Sequence, residues 1–145
     1  MRPNDSLQGP KALPIPPQQA RKRRALLVNE DPEALRLYSA ILQHWGYQVR
    51  ACQCHEEALY YLGSEAFDVV LVSQGSRKFE GRCVLERAVN VNRRLPVLVI
   101  ARCLDTACYL EAMQLGAADY LTEPVTVSAI GQVLRAHQTP PSTAS

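Results

Sequence analysis

The distribution of apolar residues predicts a doubly wound α/β domain, a parallel sheet with helices on both faces. Short apolar runs alternate five times with amphipathic stretches, the signature of repeated strand–helix units. The runs at 25–28, 69–72 and 97–100 contain no polar alternation, as central strands covered on both sides require. Helix-starting and helix-ending residues fall between the runs, at Asp31-Pro32, Gly46, Asp105, Gly116 and Pro124.

Each element follows from its own pattern. Ala25-Leu-Leu-Val28 is the first strand, ending in polar Asn29-Glu30. Asp31 is placed to cap the free N–H groups of a helix and Pro32 to occupy its first position. Leu35, Tyr38, Leu42 and Trp45 recur at helical spacing, and Gly46 suits the left-handed residue that ends a helix. Tyr47–Ala51 reads as a strand, Glu56–Leu62 as a helix closed by Gly63, and Phe67–Val72 as a buried strand. A polar loop from Ser73 to Gly81 leads to a helix from Arg82 to about Val91, with Val84, Leu85 and Ala88 inward. Pro96–Ala101 is the next strand. Asp105 caps a helix carrying Cys108, Ala112 and Leu115 that stops at Gly116. Asp119–Thr122 is a last short strand, and Thr126–His137 a final helix with Val127, Ile130, Val133 and Leu134 on one face. Gly131 in that helix is expected to weaken it by roughly 1 kcal/mol relative to Ala.

Composition bounds the function classes. The chain of 145 residues is 47% hydrophobic and 21% charged, the balance of one globular domain with tails. Residues 1–23 are rich in Pro, Gln and polar groups, and 138–145 carry Pro140-Pro141; both segments are predicted to be disordered, leaving 24–137 as the domain. A formal charge of +2 gives no global case for nucleic acid, and the run Arg21-Lys22-Arg23-Arg24 reads as a solvated tail. No apolar stretch reaches the roughly 20 residues of a membrane span, and no signal-peptide core stands at the start, so a cytoplasmic location is expected. Five cysteines cannot all pair, and Cys52, Cys54 and His55 lack the second ligand pair of a zinc site. No phosphate-cradling glycine loop or nucleophile elbow is visible, and the histidines at 44, 55 and 137 lie far apart in sequence, so no enzyme is expected.

In a doubly wound sheet the functional crevice lies beyond the carboxyl ends of the strands. Those ends are Asn29-Glu30, Ser73-Gln74, Ala101-Arg102 and Glu123.

At these points the chain resembles the response-regulator receiver family. Leu27-Val-Asn-Glu-Asp-Pro32 resembles that family's acidic first-strand end, and Phe67-Asp-Val-Val-Leu-Val-Ser73 the strand that delivers its phosphoacceptor. Leu95-Pro-Val-Leu-Val-Ile-Ala101 is similar to its fourth strand. Glu111-Ala-Met-Gln-Leu-Gly-Ala-Ala-Asp-Tyr-Leu-Thr-Glu-Pro124 is similar to its fourth helix and fifth strand. The resemblance covers about residues 24 to 137. It implies a flavodoxin-like five-stranded parallel sheet of order 2-1-3-4-5 with five helices, and a phosphorylation switch of two-component signalling. In that family a strand-three Asp is phosphorylated, acidic residues after strand one hold Mg²⁺, a Thr or Ser and a Lys contact the phosphoryl oxygens, and a strand-five aromatic changes rotamer.

Carried over by position, most of that chemistry is missing. Ser73 stands at the phosphoacceptor position, and a neutral hydroxyl forms no acyl phosphate. Asn29 and Glu30 stand at the acidic positions, leaving one matched carboxylate, so Mg²⁺ binding is expected to be weak or absent and no cofactor is expected. Ala101 lacks the phosphate-binding hydroxyl. Glu123 replaces the Lys and would repel a phosphoryl group by roughly 4 kcal/mol at 4 Å and an effective dielectric near 20. Tyr120 keeps the aromatic position, and the bond before Pro124 is expected to be cis by resemblance. Arg102 is expected to fill the vacated pocket by pairing with Glu30 or Glu123. The function so implied is a receiver-like module independent of phosphorylation. It would dock a histidine kinase or output protein, or a second copy of itself, through Thr106–Gln114, Tyr120 and the Thr126–His137 helix. The alternatives are a small-ligand sensor using the crevice and a conventional receiver with an unusual acceptor.

Overall fold

The computed structural model describes residues 22–137, so residues 1–21 of the tail predicted at 1–23 and the whole tail at 138–145 lie outside the described residues, while Arg23 already belongs to the first strand. Five strands and five helices alternate: β1 (Arg23–Val28), α1 (Pro32–His44), β2 (Tyr47–Cys52), α2 (His55–Ser64), β3 (Val69–Ser73), α3 (Arg82–Val91), β4 (Val97–Ala101), α4 (Thr106–Leu115), β5 (Asp119–Thr122) and α5 (Val127–His137). The strands form one parallel sheet in the order β2-β1-β3-β4-β5. This is the predicted doubly wound, flavodoxin-like arrangement.

Pleating divides the central strands between two apolar layers, because successive side chains point to opposite faces. Leu26, Val28, Val70, Val72, Val97 and Val99 pack with Ala58 and Leu62 of α2, Val84, Leu85 and Ala88 of α3, and Cys108 and Ala112 of α4. Ala25, Leu27, Val69, Leu71, Leu98 and Ile100 pack with Tyr38, Ile41 and Leu42 of α1 and Ile130 and Leu134 of α5. Every residue of β3 and β4 is buried, which explains the absence of polar alternation in those runs.

The capping signals act locally as expected. The Glu33 N–H donates to Asp31 Oδ1 at 3.1 Å, and the Cys108 N–H donates to Asp105 Oδ1 at 3.2 Å. Gly46 and Gly116 take positive φ at the ends of α1 and α4. Gly63 does not close α2, which runs on to Ser64 and ends at Glu65. Beyond it, β3 starts at Val69 rather than Phe67 and takes in Ser73.

The basic run is not wholly a solvated tail. Arg23 and Arg24 belong to β1. The Arg24 N–H donates to Asp68 Oδ2 at 2.7 Å, and its guanidinium pairs with Glu65 at 2.7 Å. Arg50 of β2 reaches the other Glu65 oxygen at 2.8 Å, so one carboxylate staples the edge strand β2 to its neighbour β1. Arg50, then Arg24, hold the Glu65 carboxyl below its usual range. Arg24 next to an apolar run looks like a tail in one dimension; its acceptors lie some forty residues on, in a different loop.

Gly131 also has a role that helix propensity hides. A Cβ there would lie 2.3 Å from the Trp45 ring. The Trp45 Nε1–H donates to the Val127 carbonyl at 3.0 Å, and the Arg135 guanidinium lies over the indole. The indole thus locks α1 to α5, and glycine makes room for it. Gly131→Ala is therefore expected to destabilise the domain by about 1–3 kcal/mol through overpacking, outweighing the roughly 1 kcal/mol propensity gain. Urea denaturation checks this, and in a Trp45→Leu background the same substitution should become stabilising.

Candidate functional site: the carboxyl edge of the sheet

The order of the strands reverses about β1 and β3, and the crevice between their carboxyl ends is where this fold places ligands. Here it is bordered by Asn29, Glu30 and Asp31 after β1, Ser73 and Gly75 at the end of β3, Arg102 after β4 and Glu123 after β5. The fold therefore brings together the positions singled out in sequence: Asn29, Glu30, Ser73, Arg102 and Glu123. Ala101 lies just beneath, 3% exposed at the end of β4.

Asn29, Ser73 and Glu123 are each engaged by the protein itself, whereas Glu30 and Arg102 are exposed. Asn29 is buried, and its Oδ1 accepts from the Asp31 N–H at 2.9 Å, shaping the turn into α1. Ser73 is 7% exposed, and its Oγ accepts from the Gly75 N–H at 3.1 Å. Glu123 accepts from the Tyr38 hydroxyl at 2.6 Å, and the Glu123–Pro124 bond is cis. Burial, then that hydrogen bond, then the Glu123 charge push the Tyr38 phenol well above its usual pKa. The free space left is about 10 Å³, roughly that of a single water. A small-molecule sensor working through this crevice does not fit it.

Nor do these donors fit the divalent cation that the fold family implies. Mg²⁺ asks for one or two carboxylates in octahedral geometry together with phosphate oxygens and water. Asn29 and Ser73 bring neutral oxygens already engaged by backbone N–H groups, and Asp31 caps α1. Among the described residues no group of His, Cys, Asp and Glu is arranged to hold a metal ion.

Arg102 departs from expectation. It is exposed at the rim, and among the described residues it forms no ion pair with Glu30 or Glu123. Tyr38, rather than Arg102, answers the reversed charge at position 123. A buried phenol can donate to a carboxylate without carrying a full charge into the interior, which a guanidinium cannot avoid.

The residue next to the acceptor position is the one sequence reasoning left without a role. Gln74 is 5% exposed. Its Oε1 accepts a short hydrogen bond from the Tyr120 hydroxyl, and its Nε2 donates to the Ser76 carbonyl at 3.1 Å. The Tyr120 oxygen in turn accepts from the Asp105 N–H at 3.3 Å. The aromatic position of β5 is thus turned inward, 8% exposed, and held from both sides. A second polar residue, after Ser73, at the end of a strand buried throughout was the available signal.

The comparisons with known proteins agree with this geometry. A family profile for the response regulator receiver domain matches residues 25–135. The chain belongs to that family. The transcriptional regulatory protein ZraR of Escherichia coli K12 is 29% identical over 100 residues, covering 69% of this chain and 23% of that protein. The two-component response regulator ARR11 of Arabidopsis thaliana is 30% identical over 104 residues, covering 70% and 20%. The chain thus spans about a quarter or less of the length of the curated relatives it matches. A CheY-like receiver domain protein from Methanospirillum hungatei superposes with a TM-score of 0.73 at 22% identity, covering 79% of this chain and 91% of that one. A Burkholderia pseudomallei response regulator, solved with a phosphorylated aspartic acid, calcium ion and citrate, gives 0.70 at 25% identity, covering 81% and 67%.

Two outcomes follow from the buried hydroxyls. Tyr120→Phe strands the Gln74 oxygen and should cost about 1–3 kcal/mol. Gln74→Leu combined with Tyr120→Phe should cost clearly less than the two single changes summed, by about 1 kcal/mol, in a double-mutant cycle read by urea denaturation. Burial raises the Tyr38, Tyr47 and Tyr120 phenols above their unfolded values. Their stabilisation is thus complete below about pH 10 and is lost as pH climbs through the folded values. In an alkaline titration followed at the phenolate absorbance, these phenols should ionise only together with the loss of helical circular dichroism.

Proposed function

We propose that this receiver domain works without phosphorylation, as a cytoplasmic, non-catalytic module that docks a protein partner. The observation that carries the reading is the inward Tyr120, whose hydroxyl is satisfied by Gln74 and the Asp105 N–H with no phosphoryl group involved. In the receiver family that aromatic is the part that moves with the switch. Here its buried hydrogen bonds favour one position, since leaving them means exposing or orphaning Gln74.

The crevice chemistry supports the same reading. The Burkholderia protein carries a phosphorylated aspartic acid and a calcium ion. This chain sets a neutral Ser73 with an engaged hydroxyl, an engaged Asn29 and an anionic Glu123 in the corresponding place. A dianionic phosphoryl group would meet the like charge of Glu123 there, with the exposed Arg102 at the rim as the cation bordering the crevice.

Docking through α4, β5 and α5 is supported by what that face exposes. Leu104 is 64% exposed, Leu110 52%, Val127 42% and Met113 37%. Single exposed apolar residues are ordinary, but several along one helix and its neighbour are the makings of an interface core. The partner is a histidine kinase or an output protein, and association with a second copy is the homotypic variant of the same surface.

A pull-down with a tagged chain tests both halves together. Capture of a partner should be unchanged by acetyl phosphate and Mg²⁺, with no phosphoryl adduct in the intact mass, and should be lost in Leu110→Glu/Met113→Glu. A covalent phosphoryl adduct that alters capture would overturn the reading, as would full capture by the double variant.

A further inference from the structure

Beside the closed crevice lies an open groove of about 590 Å³, between the loop after β3 and the loop after β4. That volume is in the range of small-molecule sites, roughly 300–1,000 Å³. Gly75 and Arg102 border both spaces, so the groove begins where the crevice ends. We propose that this groove binds a small organic anion of the nucleoside diphosphate class, gripped by the guanidinium groups of Arg77 and Arg102.

The charge balance is the first argument. Arg77 lines one wall and Arg102 the other, and among the described residues neither forms an ion pair. Arg24, Arg50 and Arg82 are by contrast each matched to a glutamate. One carboxylate, Asp105, shares the groove, and its Oδ1 is taken by the Cys108 N–H. Two cations face one anion. A guanidinium offers a planar fork that matches phosphate or carboxylate oxygens in pairs, so two forks on separate walls suit two linked anionic groups.

Rigidity is the second. The first wall is cross-braced: Ser76 donates its N–H and hydroxyl to Glu80, the Phe79 N–H donates to the Ser76 carbonyl at 2.9 Å, and the Gly81 N–H to the Gln74 carbonyl at 3.1 Å. The second wall is pinned where the Asp105 N–H meets Tyr120. The Cys108 thiol donates to the Arg77 carbonyl at 3.6 Å and ties the two walls together at their base. A groove already set in shape loses little ordering entropy when filled. Exposed Leu104 at the rim gives the organic part of the ligand an apolar surface. Gln74 lines the same groove, so its side-chain amide sits where an occupant is felt.

Calorimetric titration of the full chain with ADP and with inorganic pyrophosphate tests the site, with a glutamate-rich peptide as the macromolecular arm. The expected result is saturable 1:1 binding of ADP, weakened about tenfold or more by Arg77→Ala and by Arg102→Ala. Arg87→Ala, the same charge change on the exposed side of α3, should leave it unchanged. The Gln74 side-chain amide resonance should move in step with saturation. Absence of saturable ADP binding up to millimolar concentration overturns the proposal, as does equal weakening by Arg87→Ala, or binding of the peptide alone. None of these readouts depends on partner docking or on whether Ser73 is phosphorylated.

Discussion

The hydrogen bond from the Tyr120 hydroxyl to Gln74 joins the edge strand β5 to the end of the central strand β3. Much of what surrounds the carboxyl edge depends on it. Gln74 is buried immediately after β3, next to Ser73, and has only the Tyr120 donor for its side-chain oxygen among the described residues. A buried amide left half-satisfied is costly, so the ring is drawn inward to where its hydroxyl can serve. The Asp105 N–H then completes the phenol's partners and fixes the start of α4. One polar contact thus sets β5, the loop after β3 and the helix that borders the exposed apolar face.

A second contact balances the other side of the crevice. The Tyr38 hydroxyl reaches from α1 to Glu123, so tyrosines packed on opposite faces of the sheet donate to Glu123 and to Gln74 at its carboxyl edge. Phosphoryl transfer in this fold needs a pocket that is open, cationic on one side and rich in carboxylate on the other. Here Asn29, Ser73 and Glu123 are engaged by neighbouring groups of the protein, while Glu30 and Arg102 are exposed at the rim. The unpaired cationic surface lies one loop away, along the groove that Arg77 and Arg102 line.

The architecture was almost wholly legible in the chain because its signals are local. Doubly buried strands, aspartate caps and left-handed glycines act within a few residues, and they appear at β3, β4, α1 and α4 as read. The misreadings arose where a local signal competes with a distant contact. Gly63 is tolerated inside α2, which continues past it. Gly131 reads as a flaw in α5 until the Trp45 ring, far off in sequence, is seen to occupy the space beside it. Arg24 reads as part of a tail until Glu65 and Asp68 are brought alongside β1.

For the candidate site, the sequence by itself determined which side chains stand at the carboxyl edge, since strand order and strand ends fix Asn29, Ser73, Ala101 and Glu123 there. It determined the receiver fold at the same stroke. Only the tertiary structure decided how those side chains are satisfied: Glu123 by Tyr38 rather than Arg102, Tyr120 by Gln74, and the crevice filled rather than vacant. The physical reason is that position along a strand is a property of the chain. The partner of a buried polar atom is settled by whichever donor the packed layers bring within about 3 Å.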